Sequence, residues 1–410
     1  MKFSLKSYIS HNGERFSLLF SPAAPGVPLF YPCAFISRQV RDNATHQTQV
    51  TILSGIQRLI EWERDRKLDL EEKLICGELM TPFEIDDLAA HARSRRNGKR
   101  GDVVSSRKFN GYWSSICKYI AWLTDELLPN RNNSNVRKLV EEQNSRLALK
   151  ARRRLDSKAK KHQKTLDEKI SELARAQLLT LFSTPFQDFT ANHGGIIEYA
   201  KKGVQLRNVV MLRILYETGM RRGELLSLKL KSFVEASGGE GAYLSIEKNH
   251  GDEFDLRANQ PVAKTQGRDV SISAALESQI IDYITHYRAE LNNIGLTHES
   301  FIFCVHRSGK TQGSAISVNG FNSAFKQIKE KYPILKECHP HAFRHDWNYR
   351  FSQKVETLGI SEIEEAEIRE QQMGWVPGSS MAKIYNQRNR REKTMLLGRK
   401  IADDTARPRK

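Results

Sequence analysis

The spacing of apolar residues predicts a mostly helical N-terminal region. From about residue 45 apolar side chains recur at three- and four-residue intervals, as on one face of an amphipathic helix. A second helix is predicted over residues 82–93, where Thr81 provides an N-cap and Pro82 suits the first turn. A third is predicted over 105–128, and its buried stripe is expected to be Phe109, Trp113, Ile116, Ile120 and Leu123. These helices define an all-helical domain over residues 45–130.

Residues 1–44 show short apolar runs without a helical period. Two strand-like runs, 15–20 and 27–31, flank a turn-rich stretch that contains Pro22 and Pro25. We therefore expect a short N-terminal extension that forms a small β-hairpin. Its role is not defined by the sequence.

A second helical pattern begins at about residue 165. The helix predicted over 166–182 is expected to bury Leu173, Ala174, Leu178 and Leu181. Further helices are predicted over 206–217, ending at the C-cap Gly219, and over 222–230. A strand-rich insert follows, with strands predicted at 243–247, 254–257 and 269–272. This pattern predicts a mainly α domain with a small β-sheet insert over residues 165–395.

The segment between the two domains is strongly basic. Residues 131–164 are predicted as an interdomain linker, and from residue 150 onward they carry only one acidic side chain, Asp156. Such a run is either a solvated linker or a segment that follows a nucleic-acid backbone. Residues 396–410 are predicted as a second basic segment, the C-terminal tail.

Net charge narrows the class of partner. The 410-residue chain carries a formal charge of +17 with a pI near 9.6, which favours a polyanion. Nucleic acid, either DNA or RNA, is the expected partner, although the charge alone is also compatible with a membrane surface. No apolar run approaches membrane-spanning length and no secretory signal is expected. The five cysteines form no CxxC pair, so reduced thiols are predicted rather than disulfides or a zinc site.

Four basic residues precede one C-terminal tyrosine and suggest a chemistry. Arg221 follows a predicted helix end, Lys264 lies in the strand-rich insert, and His341 stands three residues before Arg344. Around one phosphate, these groups can hold its charge and shuttle protons while the phenol of Tyr385 attacks phosphorus. His339 is the rival histidine, but only His341 lies near one helical turn from Arg344.

In this order the segments resemble the motifs of the tyrosine recombinases, also called the phage integrase family. Residues 218–225 resemble the first arginine box, Lys264 with Thr265 and Arg268 resembles the hairpin lysine, and 341–344 resembles the HxxR box. Residues 373–375, which place Trp375 where histidine is common, complete the pattern before Tyr385. The resemblance covers residues 165–395 by motif and 45–130 more weakly.

The resemblance implies a fold and a reaction. The fold would be a helical, SAM-like core-binding domain and an α+β catalytic domain that together form a C-shaped DNA clamp. Arg221, Lys264, His341, Arg344 and Trp375 would be catalytic, with Tyr385 as the nucleophile that forms a 3′-phosphotyrosyl bond. No metal, ATP or other cofactor is implied.

The resemblance also implies partners and a location. It implies duplex DNA with a specific recombination site and a homo-tetramer in which residues 387–410 dock on a neighbouring subunit. Accessory DNA-bending proteins are possible partners, and the protein would be cytoplasmic and associated with the bacterial nucleoid. The sequence does not distinguish integration, excision, dimer resolution or transposition of a mobile element, nor does it give the DNA site.

Candidate DNA contacts lie in and after the helical domain, although a solvated surface loop is the alternative for residues 93–101. They are Arg93, Arg95, Arg96, Lys99, Arg100, Arg107, Lys108, Arg152, Arg153 and Arg154.

Three neighbours of the motifs receive other interpretations. Glu224 is interpreted as the anchor of the Arg221 turn, and Arg222 and His345 as facing outward or making supporting bonds. The acidic stretch 361–367 is predicted to be a loop insertion.

Alternative functions are a type IB topoisomerase and a DNA-binding relative without catalysis, whereas no metalloenzyme or nucleotide-binding motif is present.

Overall fold

The computed structural model describes residues 3–24, 26–96, 101–152, 170–186 and 196–406. The chain divides into two compact units, Met1–Ser157 and Lys158–Lys410, each with its own hydrophobic core. Among the described residues, no helix combines the length and apolar character needed to cross a membrane.

The first unit is a helical bundle preceded by a two-stranded sheet. Its strands are β1 (Ser4–Ile9) and β2 (Arg15–Phe20), which pair antiparallel with Ser4 opposite Phe20. Its helices are α1 (Phe30–Phe35), α2 (His46–Arg66), α3 (Leu70–Ile75), α4 (Pro82–Arg93), α5 (Ser106–Leu127) and α6 (Ser134–Leu149). A π-helical turn (Ile36–Val40) and a 3-10 turn (Arg41–Asn43) connect α1 to α2.

Helices α2, α4 and α5 confirm the predictions from periodicity and capping. Thr81 caps α4, and its hydroxyl accepts from the Glu84 N–H while the Glu84 carboxylate accepts from the Thr81 N–H. Ser105 caps α5, and the predicted stripe from Phe109 to Leu123 is buried.

The N-terminal hairpin differs from the prediction. Residues 15–20 form β2, but its partner is β1 rather than residues 27–31. Residues 27–31 pair with β2 only through an isolated antiparallel bridge between Phe20 and Pro28, beside which the Leu29 N–H donates to the Leu19 carbonyl at 2.8 Å. Pro28 has no N–H to donate, so the pairing does not extend into a strand. The run leads into α1 instead.

The predicted linker 131–164 also differs, because residues 134–149 form α6. Leu147 is buried in the first core, and its carbonyl accepts from Trp113 Nε1 at 2.8 Å. Gln143 Oε1 accepts from the Met80 N–H at 2.8 Å. Helix α6 was not predicted because most of its residues are polar and only a few of its side chains join the first core. Residues 153–164 lie outside the described ranges.

The second unit is mostly helical around a three-stranded antiparallel sheet of order β3-β4-β5. Its strands are β3 (Phe233–Val234), β4 (Tyr243–Ile246) and β5 (Arg268–Ser271). Its helices are α7 (Glu172–Ser183), α8 (Ile196–Thr218), α9 (Arg222–Leu226), α10 (Ala274–Asp282), α11 (Val318–Lys331), α12 (Pro340–Leu358), α13 (Glu362–Met373), α14 (Met381–Tyr385) and α15 (Gln387–Ala406).

Several predictions for this unit need correction. Residues 254–257 form no strand, because Arg257 ties the segment to Asp255 and to the carbonyls of Leu226 and Ile316. Leu173, expected in the core, is 70% exposed. Helix α9 ends at Leu226, and a 3-10 turn (Leu230–Ser232) follows.

The acidic stretch 361–367 is not a loop insertion. It forms the beginning of α13, where the Ser361 hydroxyl caps the helix by accepting from the Glu364 N–H. Acidic side chains in the first helical turn interact favourably with the helix dipole. The acidic stretch therefore forms the first turns of a helix that ends at Met373.

Candidate active site

Arg221 is placed by a sharp turn between α8 and α9. Helix α8 ends at Thr218, and Gly219 adopts a left-handed conformation with φ 64°. A Cβ on Gly219 would lie 2.8 Å from Cγ of Trp347, so the turn needs glycine for space as well as for conformation. Arg221 is the N-cap of α9, and its backbone N–H donates to Glu224 Oε2 at 2.9 Å. Its side chain remains one-third exposed.

Glu224 is the buried anchor of this turn, as its sequence context suggested. Its Oε1 accepts from the Thr265 hydroxyl at 2.6 Å, and its Oε2 accepts from Arg268 Nη2 at 2.9 Å. Burial alone would raise the pKa of Glu224. The charge of Arg268 and the hydrogen bonds from Arg268 and Thr265 outweigh that effect, so the pKa lies below its ordinary value.

Lys264 lies in the loop between β4 and β5, and that loop is fastened to the turn after α13. The Gln266 N–H donates to the carbonyl of Gly374 at 2.9 Å, and Arg268 Nε donates to the carbonyl of Gln372 at 2.7 Å. The Lys264 side chain is exposed, and it forms no hydrogen bond or ion pair within the described part of the chain. The loop is thus anchored while its lysine reaches solvent.

Arg344 projects from the first turns of α12 into the same region. It is 1% exposed, and its Nη1 and Nη2 donate to the carbonyls of Gly219 at 2.9 Å and Met373 at 3.2 Å. Its Nε is buried without a hydrogen-bond partner among the described residues. Burial, followed by the nearby charge of Arg221, lowers the pKa of Arg344 to about 10. Two close guanidinium groups of like charge favour an anion between them.

Trp375 and Tyr385 complete this cluster. Gly374, with φ 64°, ends α13 and turns the chain so that Trp375 stacks on Tyr385 with ring centroids 5.2 Å apart. Both side chains are 6% exposed. The Arg344 guanidinium carbon lies 5.5 Å from the Trp375 ring centroid and 5.9 Å from that of Tyr385. Trp375 Nε1, like Arg344 Nε, is buried with no acceptor in the described ranges.

The three histidines of this region have different positions. His339 is the N-cap of α12, and its Nδ1 accepts from the Ala342 N–H at 3.1 Å. The His341 ring lies 6.4 Å from that of Tyr385, and the His345 ring lies closer, at 4.6 Å. Sequence reasoning set His345 aside as a neighbour of the motif. Its spacing of four residues from His341 was the available signal, because that spacing places both on one helix face.

The candidate DNA contacts lie in the first unit where they are described. Arg95, Arg96, Arg107, Lys108 and Arg152 are exposed, and Arg93 is half-buried at the end of α4. Arg96 pairs with Glu61 at 2.9 Å. The amide of Asn110 on α5 bonds the backbone of Arg152 in both directions, at 2.8 and 3.0 Å, so Arg152 lies beside the basic start of α5. Lys99, Arg100, Arg153 and Arg154 lie outside the described residues.

Comparison with known proteins gives one family and a shared fold. Residues 194–392 match the phage integrase family. The structure is similar to that of XerH site-specific recombinase bound to difH substrate in a pre-cleavage complex, with a TM-score of 0.51 and 15% identity over 85% of this chain and 79% of that chain. The post-cleavage complex of XerH with palindromic difH gives a TM-score of 0.49 and 16% identity over 88% and 82%. No protein with curated annotation matches the chain.

Proposed function

We propose that this chain, whose residues 194–392 match the phage integrase family of tyrosine recombinases, is a site-specific recombinase that cleaves and rejoins duplex DNA. Tyr385 is the proposed nucleophile, and the covalent intermediate is a 3′-phosphotyrosyl bond. The family match includes every proposed catalytic residue, because it extends over residues 194–392.

One observation carries the assignment of the site. Arg344 Nε and Trp375 Nε1 are buried N–H donors without partners among the described residues, and both groups lie against the Tyr385 ring. A buried unsatisfied donor costs about 1–3 kcal/mol, and more when the group is charged. A phosphate that enters this region would satisfy both donors and relieve the repulsion between Arg221 and Arg344. The arrangement is therefore suited to an anion beside a phenol.

Each side chain has a chemical task in the proposed reaction. Arg221 and Arg344 hold the non-bridging oxygens, whose charge is concentrated in the pentacoordinate transition state. His341 takes the phenol proton as the Tyr385 oxygen bonds to phosphorus. The bond to the 5′ oxygen breaks, and Lys264 gives that oxygen a proton. The phosphotyrosyl ester retains the energy of the phosphodiester, so religation requires neither ATP nor a metal ion.

Basic residues of the first unit are the proposed contacts to the DNA backbone. Arg107 and Lys108 are exposed in the first turn of α5, and the hydrogen bonds of Asn110 place Arg152 next to them. Phosphate contacts of this kind give salt-dependent affinity that is largely independent of sequence. The N-terminal unit would in this way act as the core-binding domain, and the protein would act on DNA in the cytoplasm.

Helix α15 supports the further proposal that copies of the chain assemble as a tetramer on DNA. Its start is tied to α12, because Asn389 donates to Glu356 at 2.6 Å. Farther along, Met395, Leu396, Leu397 and Ile401 are all more than half exposed. An apolar strip of this kind suits burial against another subunit. Leu397→Asp should abolish exchange between two duplexes while leaving cleavage of a single duplex intact; equal loss of both activities would argue against this role.

The proposed function is tested with a suicide duplex that traps the covalent intermediate, in buffer containing EDTA. Wild-type protein should form a DNA adduct that survives denaturing electrophoresis, and Tyr385→Phe should form none. Tyr349→Phe is a matched control, since that phenol donates to the Glu392 carboxylate and is not one of the proposed catalytic residues. Adduct formation by Tyr385→Phe would overturn the assignment. Relaxation of plasmids without exchange between cognate sites would instead indicate topoisomerase activity.

A further inference from the structure

His341 and His345 form a hydrogen-bonded pair whose geometry restricts how His341 can act. Their Nε2 atoms are 3.0 Å apart, and the rings meet edge to face with centroids 4.4 Å apart. One Nε2 must carry the shared proton and the other must accept it. With Nε2 engaged in this bond, His341 can act on the reaction only through Nδ1.

This restriction determines which tautomer of His341 can accept the phenol proton. For His341 to take the phenol proton at Nδ1, its own proton must be on Nε2 and must be donated to His345. His345 then carries its proton on Nδ1 and accepts at Nε2. When His341 becomes an imidazolium, the same Nε2–H still donates to His345. A base oriented and stabilised by a third group is the logic by which many nucleophiles are activated.

His345 is suited to act as this neutral acceptor. Burial, followed by the charges of His341, Arg344 and His339, lowers the pKa of His345 to about 3, so the ring is neutral near pH 7. The three groups whose charge lowers this pKa lie at the start of α12, and Tyr385 faces the same ring from α14. A neutral imidazole accepts a proton from its neighbour without competing for it.

His345 also contacts the nucleophile. Its ring lies 4.6 Å from that of Tyr385 with a tilt of 35°, while Trp375 lies 5.2 Å from the same phenol at 24°. The phenol therefore packs against an imidazole and an indole. Rotation of Tyr385 away from its position would lose both contacts.

We propose that His345 is a positioning residue for the cleavage reaction, which accepts the Nε2–H of His341 and holds the Tyr385 ring for attack. The inference rests on the proposed function. In the balanced step the Tyr385 O–H proton moves to His341 Nδ1, the phenol oxygen bonds to phosphorus, and the bond from phosphorus to the 5′ oxygen breaks as that oxygen takes a proton from Lys264. His345 keeps its proton throughout and returns His341 to the same tautomer after religation.

Two substitutions separate the acceptor from the ring contact. His345→Phe keeps an aromatic ring against Tyr385 but has no acceptor, whereas His345→Gln offers Oε1 near the position of Nε2. We expect single-turnover adduct formation by His345→Phe to slow by about 10–100-fold, the range seen when a partner that orients a histidine is lost. His345→Gln should react faster than His345→Phe because it restores the acceptor, but more slowly than wild type because it lacks the ring that packs against Tyr385. The acid limb of the pH–rate profile should move to lower pH in His345→Phe, because His341 without its acceptor is a weaker base.

The tautomers can be measured independently in the unmodified protein by nitrogen-15 NMR of the histidine rings. The expected result is Nε2–H for His341 and Nδ1–H for His345 near pH 7. Nε2–H for His345 would overturn the proposal, as would a wild-type rate and pH profile in His345→Phe. A slowed His345→Gln beside a wild-type rate in His345→Phe would show a ring-packing role only and would overturn the role of His345 as acceptor. Failure of the wild-type protein to form any Tyr385-dependent adduct would count against the proposed function, while the NMR result still decides the hydrogen bond.

Discussion

Substitution of Gly374 tests how the structure joins the loop that carries Lys264 to the turn before Trp375. Gly374 has φ 64°, and a Cβ added there would lie 2.8 Å from both the Gln266 carbonyl oxygen and Arg268 Nη1. It would also lie 2.9 Å from Cβ of Thr265. The carbonyl belongs to the backbone, and Arg268 Nη1 is held by the Thr265 hydroxyl at 3.0 Å, so these atoms cannot simply move aside.

The expected cost of Gly374→Ala combines two effects. A left-handed conformation costs a non-glycine residue about 1–2 kcal/mol. Forcing a methyl group into a packed site costs about 1–3 kcal/mol more. We therefore expect Gly374→Ala to lower the free energy of unfolding by roughly 2–5 kcal/mol. Gly378 is the matched control, since it has φ 75° but no atom within 4 Å of an added Cβ. Gly378→Ala should show the conformational cost alone.

Urea unfolding followed by tryptophan fluorescence measures the difference, because Trp347 and Trp375 report on the second unit. The rate of adduct formation should fall further in Gly374→Ala than in Gly378→Ala, since only Gly374 contacts the loop that carries Lys264. Equal destabilisation of the two variants would contradict this prediction, because it would show that close packing of Gly374 against the Lys264 loop adds nothing to stability.

Other predictions concern single groups of the site. Glu224→Gln should cost about 3–5 kcal/mol of stability near pH 7, the range for a broken buried ion pair. The folded state lowers the pKa of Glu224, so its carboxylate contributes fully to stability above the ordinary pKa of 4.5. That contribution is lost as the pH falls through the lower pKa of the folded state. The difference in unfolding free energy between wild type and Glu224→Gln, measured with urea, should therefore be smaller near pH 3. Trp375→Phe should slow adduct formation by up to about 10²-fold, because it keeps the stack but loses the N–H, and Trp375→His should be faster than Trp375→Phe. Lys264→Ala should cleave an ordinary duplex about 10²-fold more slowly than wild type, because the departing 5′ oxygen loses its proton donor. A duplex in which sulfur replaces that bridging 5′ oxygen should be cleaved at nearly the wild-type rate, because sulfur leaves without a proton.

The helices that the sequence predicted well are those with a capping signal at their N-terminus. Helix α4 has a capping box at Thr81 and Glu84, and α5 has a cap and a long apolar stripe. Helix α6 was missed because its surface is polar and its part in the core depends on Leu147 and a few hydrogen bonds. The pairing of β2 with β1 was also missed, since antiparallel register depends on which face tertiary packing buries.

In the candidate site, too, local sequence motifs identified individual residues, whereas contacts between distant segments could not be predicted. Motif order was enough to nominate Arg221, Arg344 and Tyr385, and the structure places Arg344 against the Tyr385 ring. The contact between His345 and the phenol depends on how α14 packs on α12, which no local pattern encodes. Likewise, the attachment of the Lys264 loop to Gly374 joins segments that are far apart in sequence.

In the proposed reaction Tyr385 attacks a DNA phosphate and becomes linked to the 3′ end of the cleaved strand. Mass spectrometry of a protease-digested adduct, formed on a suicide duplex in EDTA, identifies both the linked residue and the linked DNA end. We expect a nucleotide joined through its 3′ phosphate to the peptide that contains Tyr385. A nucleotide on another residue, or one attached through its 5′ end, would contradict the proposed reaction.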